Sequence, residues 1–207
     1  RVILVVHHAA VKPKLGQHFF QRALENMVER SVKVIVVPSE CTKISLQVNT
    51  SLGWSGAAPI LIIPNPLRSP VHKKLKSEVA IQFNNKLSFG MFGRYERQKG
   101  VDIALSSFSC IPQGQRVGCQ IKLFGTYPQD KEEILKKAAA LGISDSIQVM
   151  GFATNIDDAF QQVDCGLFLS TTFEGFNYSL LEWLLLQRKP FIATKLGIVA
   201  DSAYSFP

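Results

Sequence analysis

No stretch of this 207-residue sequence is apolar for anything near the ~20 residues that a membrane-spanning helix needs. The opening run Val2–Val6 is far shorter and lacks the cleavage pattern of a signal peptide. Cysteine is sparse: Cys41, Cys110, Cys119 and Cys165 are scattered, with no CxxC pair. Histidine is equally sparse, with four residues and no paired ligand spacing. Together these argue against a structural zinc site and fit a reducing compartment. No GxGxxG lies between a strand pattern and a helix pattern, which argues against a dinucleotide dehydrogenase. No Asp-x-Asp is present to hold a divalent cation. Internal repeats and low-complexity tracts are missing too.

The chain does have apolar material. Hydrophobic residues are 46% and charged residues 19% of the sequence, which suits a packed core and excludes a disordered chain. The net charge of +7 is unevenly spread. Residues 1–99 carry 15 basic and 5 acidic side chains, whereas residues 100–207 carry 8 basic and 11 acidic ones. A basic first half fits an anionic partner such as a phosphate or a membrane surface, or simply a solvated basic face. It lacks the interleaved aromatics of a nucleic-acid surface, so no nucleic-acid partner is expected.

Short β-branched runs alternate with helical patterns. Strands are expected at Val2–Val6, Lys33–Val37, Ile60–Ile63, Lys86–Phe92, Gln120–Phe124, Ser146–Met150, Cys165–Leu169 and Pro190–Ala193. Most are continuous apolar runs, as in a parallel sheet covered on both faces. Leu15, Phe19, Ala23, Met27 and Val28 recur at helical spacing. Ser39 suits an N-cap for a helix from Glu40. Further helices are expected at Val101–Ser109, Asp130–Leu141, Ile156–Val163 and Tyr178–Gln187. In the second of these Ile134, Ala138 and Leu141 share a face and Gly142 suits the C′ position. Asn155 and Asn177 suit the caps of the last two. This alternation predicts the α/β class with right-handed crossovers. Three prolines within Pro64–Pro70 mark a boundary. We therefore expect a first domain over 1–66, a linker over 67–85 and a second domain over 86–207. The chain starts and stops close to strand patterns, so both domains are expected to be incomplete and the chain a fragment.

Ligands of open parallel sheets bind beyond the carboxyl ends of the strands. The residues just past each strand are therefore informative. Gly93-Arg94 and Lys99-Gly100 come after the fourth. Gly125-Thr126, Gly151-Phe152, Ser170–Asn177 and Gly197 come after later ones. Glycine at such an edge admits close approach of a ligand to backbone N–H groups, and it also serves merely to turn the chain. Arg94 and Lys99 read either as a phosphate-neutralising pair or as ordinary surface cations. Glu182 lies in a helix apolar on nearly every face. Its carboxylate should be partly buried and partnered, either by a neighbouring loop or by ligand hydroxyls. Glu174 reads as a ligand contact or a solvated loop acid. His7 and His8 end the first strand, and at most one can face a substrate.

With these residues placed, Gly90–Asp201 resembles the GT-B fold glycosyltransferases of family 4, also called glycosyl transferases group 1. Phe92–Gly100 resembles that family's Gly-Arg…Lys-Gly loop. Ser170–Phe176 resembles the loop that opens its E-x7-E motif, with Glu182 as the second Glu. Lys189–Thr194 and Gly197 resemble the strand and turn beyond it. The resemblance implies two Rossmann-like domains with parallel sheets. It implies that Gly93, Arg94 and Lys99 bind the donor diphosphate, while Glu174 contacts sugar hydroxyls. Gly175, Phe176 and Asn177 would present backbone nearby and Glu182 would hold the ribose. Gly125 would lie at the same sheet edge, Gly151 and Phe152 near the base, and His7 near the transferred sugar. The catalytic set is then Glu174, Arg94, Lys99 and His7. Two departures stand out: Asn177 replaces a usual Gly, and Asp201 a usual Glu.

The implied activity is retaining transfer of a sugar from a nucleoside-diphosphate donor to a glycan or lipid acceptor, in a cleft between the domains. It is a hexosyltransferase-type reaction of polysaccharide biosynthesis that needs no cofactor and no metal. The basic first half adds a peripheral membrane contact, and the implied location is the cytoplasm, at the inner membrane face. The isolated fragment is expected to be inactive where the full protein is active. Two rival readings stand beside this one. A glycoside hydrolase or phosphorylase would use Glu174 and Glu182 as an acid–base pair, ~5–9.5 Å apart. A non-catalytic nucleotide-sugar-binding module would bind donor without transfer.

Overall fold

The computed structural model describes residues 2–6, 27, 31–49, 58–66, 86–172, 174–187 and 189–199. By its internal contacts the chain divides into two compact units. One is Arg1–Pro66 with Phe173–Asn177 and Lys195–Pro207; the other is Leu67–Thr172 with Tyr178–Thr194. The helix expected around 15–28 (Met27 apart) and the linker expected over 67–85 lie outside the described residues.

In the first unit β1 (Val2–Val5), β2 (Val32–Val37) and β3 (Ile60–Ile62) form a parallel sheet in the order β1-β2-β3. β2 is central, and its Val32, Ile35 and Val37 are buried with Leu46 and Ala58. Helix α1 (Glu40–Asn49) supplies Leu46. It starts where the sequence places a cap: Ser39 Oγ accepts the Thr42 N–H at 3.2 Å. That bond satisfies a backbone donor the first turn would leave unpaired.

In the second unit β4 (Leu87–Phe92), β5 (Cys119–Phe124), β6 (Ile147–Gly151), β7 (Cys165–Phe168) and β8 (Phe191–Ala193) are all parallel. Their order is β6-β5-β4-β7-β8. The chain winds outward from β4 to β6, then crosses back to place β7 on the other side of β4. The reversal makes the carboxyl ends of β4 and β7 a topological switch point, where such sheets open a crevice. The helices are α2 (Val101–Ser109), α3 (Gln113–Arg116), α4 (Asp130–Ala140), α5 (Ile156–Gln161) and α6 (Tyr178–Leu186). Each of the eight strands lies within one residue of its expected bounds at either end.

Alternation along the strands separates two cores. Met91, Ile121 and Leu167 pack with Leu105 and Phe108 of α2 and with Ile134 and Ala138 of α4. On the opposite face Phe92 stacks on Phe124, with ring centroids 5.2 Å apart. It also meets Phe160 of α5 edge-on at 4.6 Å and Trp183 of α6 at 5.7 Å. Gly90 and Gly166 make that aromatic face possible. A Cβ on Gly90 would lie 2.8 Å from Phe92 and Val163, and one on Gly166 2.7 Å from Phe168. The fully buried Trp183 donates its indole N–H to the Lys189 carbonyl at 3.1 Å. The Lys189 ammonium in turn reaches the Val163 carbonyl at 2.7 Å and that of Phe160 at 3.3 Å, closing the end of α5 with positive charge.

One core expectation is corrected. Leu141 does not share the buried face of Ile134 and Ala138; it is 37% exposed. The helix ends at Ala140, and Gly142 turns the chain in the left-handed region at φ +65°. The Ile143 N–H then bonds the Ala138 carbonyl at 2.9 Å and the Gly142 N–H that of Ala139 at 3.0 Å. This closure swings Ile143 into the core position instead. The C-terminal end of α5 is corrected too. Asn155 Oδ1 caps α5 by accepting the Asp157 N–H at 3.1 Å, but the helix stops two residues early, at Gln161. Among the described residues no helix is long and apolar enough to cross a membrane.

Candidate functional site

Within the second unit, the segment Gly93–Gly100 leaves the carboxyl end of β4 at the switch point. The Gly93 N–H continues the ladder to the Phe124 carbonyl at 3.0 Å. The Lys99 aliphatic stem lies alongside Gly93, with its carbons 3.7–3.8 Å from where a Cβ would stand. A short 3-10 turn, Arg97–Lys99, then leads through Gly100 (φ +75°) into α2. A side chain on Gly100 would strike the Leu169 carbonyl oxygen. The loop after β7 is therefore pressed onto this turn. The Thr171 N–H completes the join by donating to the Gln98 carbonyl at 2.8 Å, and its hydroxyl to that of Arg97 at 3.2 Å.

Arg94 and Lys99 are thus both carried by a segment stitched to the neighbouring strand end. Arg94 is largely exposed and forms an ion pair with Glu96, Nη1 to Oε1 at 2.8 Å. The other Glu96 oxygen accepts Gln98 Nε2 at 2.7 Å. Sequence reasoning passed over Glu96, although Arg94, Glu96 and Gln98 are spaced two apart in one loop. A cleft of about 920 Å³ opens beside this segment, lined among others by Glu96, Gln98, Asp102, Thr171 and Thr172.

The neighbouring strand ends come close through backbone. A Cβ on Gly125 (φ +86°) would lie 2.8 Å from the Gly93 carbonyl oxygen. The Gly125 N–H donates to the Gly151 carbonyl at 2.7 Å. Gly93, Gly125 and Gly151 therefore form one run of backbone along the carboxyl edge of β4, β5 and β6. The β5–β6 register shifts between Leu123 and Phe124, so that Met150 is skipped and Phe124 pairs with Gly151. Phe152, 58% exposed, meets the Tyr127 ring edge-on at 4.9 Å. The hydroxyl of Thr126, between Gly125 and Tyr127, is buried without a hydrogen-bond partner, a feature no sequence pattern announces. Glu182 lies half-buried in α6, as its apolar helix requires.

Glu174, Gly175, Phe176 and Asn177 belong by contacts to the first unit. There the half-buried Glu174 accepts Asn177 Nδ2 on Oε2 at 3.2 Å. Gly197, with φ +57°, sits where a Cβ would strike the Glu174 carbonyl oxygen. That turn and the Glu174 loop thus meet backbone on backbone. His7 lies outside the described residues, as does Asp201.

A second cluster was not anticipated. Lys137 of α4 donates to the Tyr95 hydroxyl at 2.7 Å and reaches Asp102 Oδ1 of α2 at 2.8 Å and Glu133 Oε1 at 3.1 Å. The Tyr95 hydroxyl donates to Glu133 at 3.0 Å, and the ammonium stands 5.3 Å from the centre of its ring. These bonds, Asp102 first, hold the Lys137 ammonium well above its ordinary pKa. Burial pushes the Tyr95 phenol up, and the Lys137 hydrogen bond holds the Glu133 carboxyl down. Only the Glu133–Lys137 spacing of four was visible locally. Among the described residues no group of three His, Cys, Asp or Glu side chains is placed to hold a metal ion.

The fold and the loop set define an α/β protein of the doubly wound kind, with a basic loop at its switch point. The sequence profile of the family described as glycosyl transferases group 1 matches residues 86–203. This chain belongs to that family. It is 28% identical over 137 residues to the lipopolysaccharide core biosynthesis mannosyltransferase LpsB of Rhizobium meliloti (strain 1021), a match covering 64% of this chain and 38% of that protein. Its structure is similar to that of Anabaena HepE in complex with UDP-glucose, with TM-score 0.70 and 22% identity, covering 98% of this chain and 56% of that one. It is similar also to a glycosyltransferase from Rickettsia africae ESF-5, with TM-score 0.70 and 17% identity, covering 94% and 52%. These likenesses show the GT-B fold class. The chain spans little more than half the length of those two structures and less of LpsB.

Proposed function

We propose that this chain is part of a retaining glycosyltransferase of family 4 that moves a sugar from a nucleoside-diphosphate donor to a glycan or lipid acceptor. The reading is a hexosyltransferase-type reaction of surface-polysaccharide biosynthesis in the cytoplasm, with residues 86–207 as the donor-binding domain and 1–66 as part of the acceptor domain. The observation that carries it is the placement of Arg94 and Lys99 on a braced loop at the switch point of a parallel sheet. The bound UDP-glucose of HepE and the mannosyltransferase name of LpsB support the donor class.

Arg94 and Lys99 bind the diphosphate. Its charge grows as the glycosidic bond breaks, so fixed cations stabilise the transition state more than the ground state. The two cations take the place of a metal ion in that role. Glu174 contacts the donor sugar, with His7 near the transferred group, and Glu182 holds the ribose. Gly93, Gly125 and Gly151 keep the sheet edge free of side chains, and Phe152 lies near the base. The acceptor attacks from the side the diphosphate leaves, and a phosphate oxygen takes its proton.

Calorimetric titration with UDP, GDP and ADP against their nucleosides tests the reading. Arg94→Ala and Lys99→Ala should each weaken the diphosphates by about tenfold or more and leave nucleosides unchanged, since a charge-assisted hydrogen bond is worth roughly 1.5–3 kcal/mol. Equal losses for both ligand classes would overturn it.

A further inference from the structure

Arg94 and Lys99 are useful to an anion only if the loop between them holds one shape. Thr171 ties Arg97 and Gln98 to the loop after β7. Tyr95 ties the earlier half of the segment to the helices beside it. Its ring packs against the core beneath the sheet, while its neighbours Arg94 and Glu96 face outward to each other. Its hydroxyl lies between two groups of α4, accepting from Lys137 at 2.7 Å and donating to Glu133 at 3.0 Å. Lys137 extends the tie to α2 through Asp102 at 2.8 Å. One ammonium thus joins the loop, the first turn of α2 and the last turn of α4.

We infer that Tyr95 and Lys137 are positioning residues that hold the Arg94–Lys99 segment in its anion-binding shape, a role that rests on the diphosphate reading of that segment. An isolated surface pair of charges would contribute little. Here the geometry is a network, and one member is anchored in the core. Ordering a loop before the ligand arrives removes that cost from binding. Neither residue touches the ligand. Their effect is read through Arg94 and Lys99.

Tyr95→Phe removes the hydroxyl and keeps the packed ring. Lys137→Met keeps the stem and removes the charge, and Lys137→Arg restores it. In the full chain, calorimetry with UDP, pyrophosphate and uridine should show the first two variants weakening UDP and pyrophosphate by about tenfold with uridine unchanged. Hydrogen exchange of the ligand-free protein should show faster exchange at the amides of 93–100. Lys137→Arg should recover most of the pyrophosphate affinity. Wild-type exchange together with wild-type UDP affinity in Tyr95→Phe overturns the inference, as does an equal loss for UDP and uridine. If Arg94→Ala and Lys99→Ala weaken UDP while the Tyr95 and Lys137 variants do not, the positioning role alone falls. If the Arg94 and Lys99 variants also bind UDP as wild type, the diphosphate reading falls with it.

Discussion

Glu96 holds Arg94 by one carboxylate oxygen, at 2.8 Å, and Gln98 by the other, at 2.7 Å. The guanidinium that the loop offers to an anion already has an anionic partner. A diphosphate bound there, as proposed, would have to displace or share that partner, so the carboxylate would both orient Arg94 and compete for it.

Glu96→Gln keeps the shape of the side chain and removes the competition. We expect UDP and pyrophosphate to bind two- to fivefold more tightly, since exposed pairs of this kind are worth roughly 0.2–1 kcal/mol. Thermal stability should hardly move. Titration at low and high salt checks this. Weaker binding at both salt levels would mean that orientation, and not competition, is what Glu96 supplies.

Gly100 is held in the left-handed region at φ +75° with the Leu169 carbonyl where its Cβ would stand. Gly100→Ala must therefore strain the backbone and part the two switch-point loops together. A loss of roughly 2–4 kcal/mol is expected from strain plus the forced shift. Urea unfolding measures it. Gly114→Ala is the control, because nothing lies within 4 Å of that position. A Gly100→Ala protein as stable as wild type would refute the account.

Burial raises the Cys165 thiol above its ordinary pKa, and the neighbouring Asp164 charge adds to the shift. Less thiolate is present at any pH below that raised value, so nucleophilic attack by this sulfur is slow. At pH 8 a disulfide reagent should modify the exposed Cys110 readily and Cys165 only on unfolding. In denaturant the Cys165 rate should level off at a lower pH than any native reaction does, because the native thiol ionises later. Rapid native labelling of Cys165 at pH 8 would contradict the burial described.

Much of the second unit was legible in the sequence. Continuous apolar runs specify the strands, of which the central β4, β5 and β7 are largely covered on both faces while edge residues such as Met150 and Ile192 are exposed. Asn155 and Gly142, like Ser39 in the first unit, mark helix ends through bonds to residues two to five positions away. These signals are local, so a sequence carries them whole. Arg94 and Lys99 could be singled out for the same reason: they lie just past a strand whose carboxyl end must face the ligand edge. What they are paired with could not be read. The ammonium of Lys137 meets a tyrosine 42 residues earlier, and Gly100 meets a carbonyl at Leu169. The run of Gly93, Gly125 and Gly151 exists only once β4, β5 and β6 lie side by side. Leu141 and Ile143 exchange core and surface through one left-handed residue. Periodicity and capping chemistry therefore set which segments become strands and helices. The partners of individual side chains were decided by tertiary packing, because close contact between distant residues depends on volumes and crossover paths that leave no local trace.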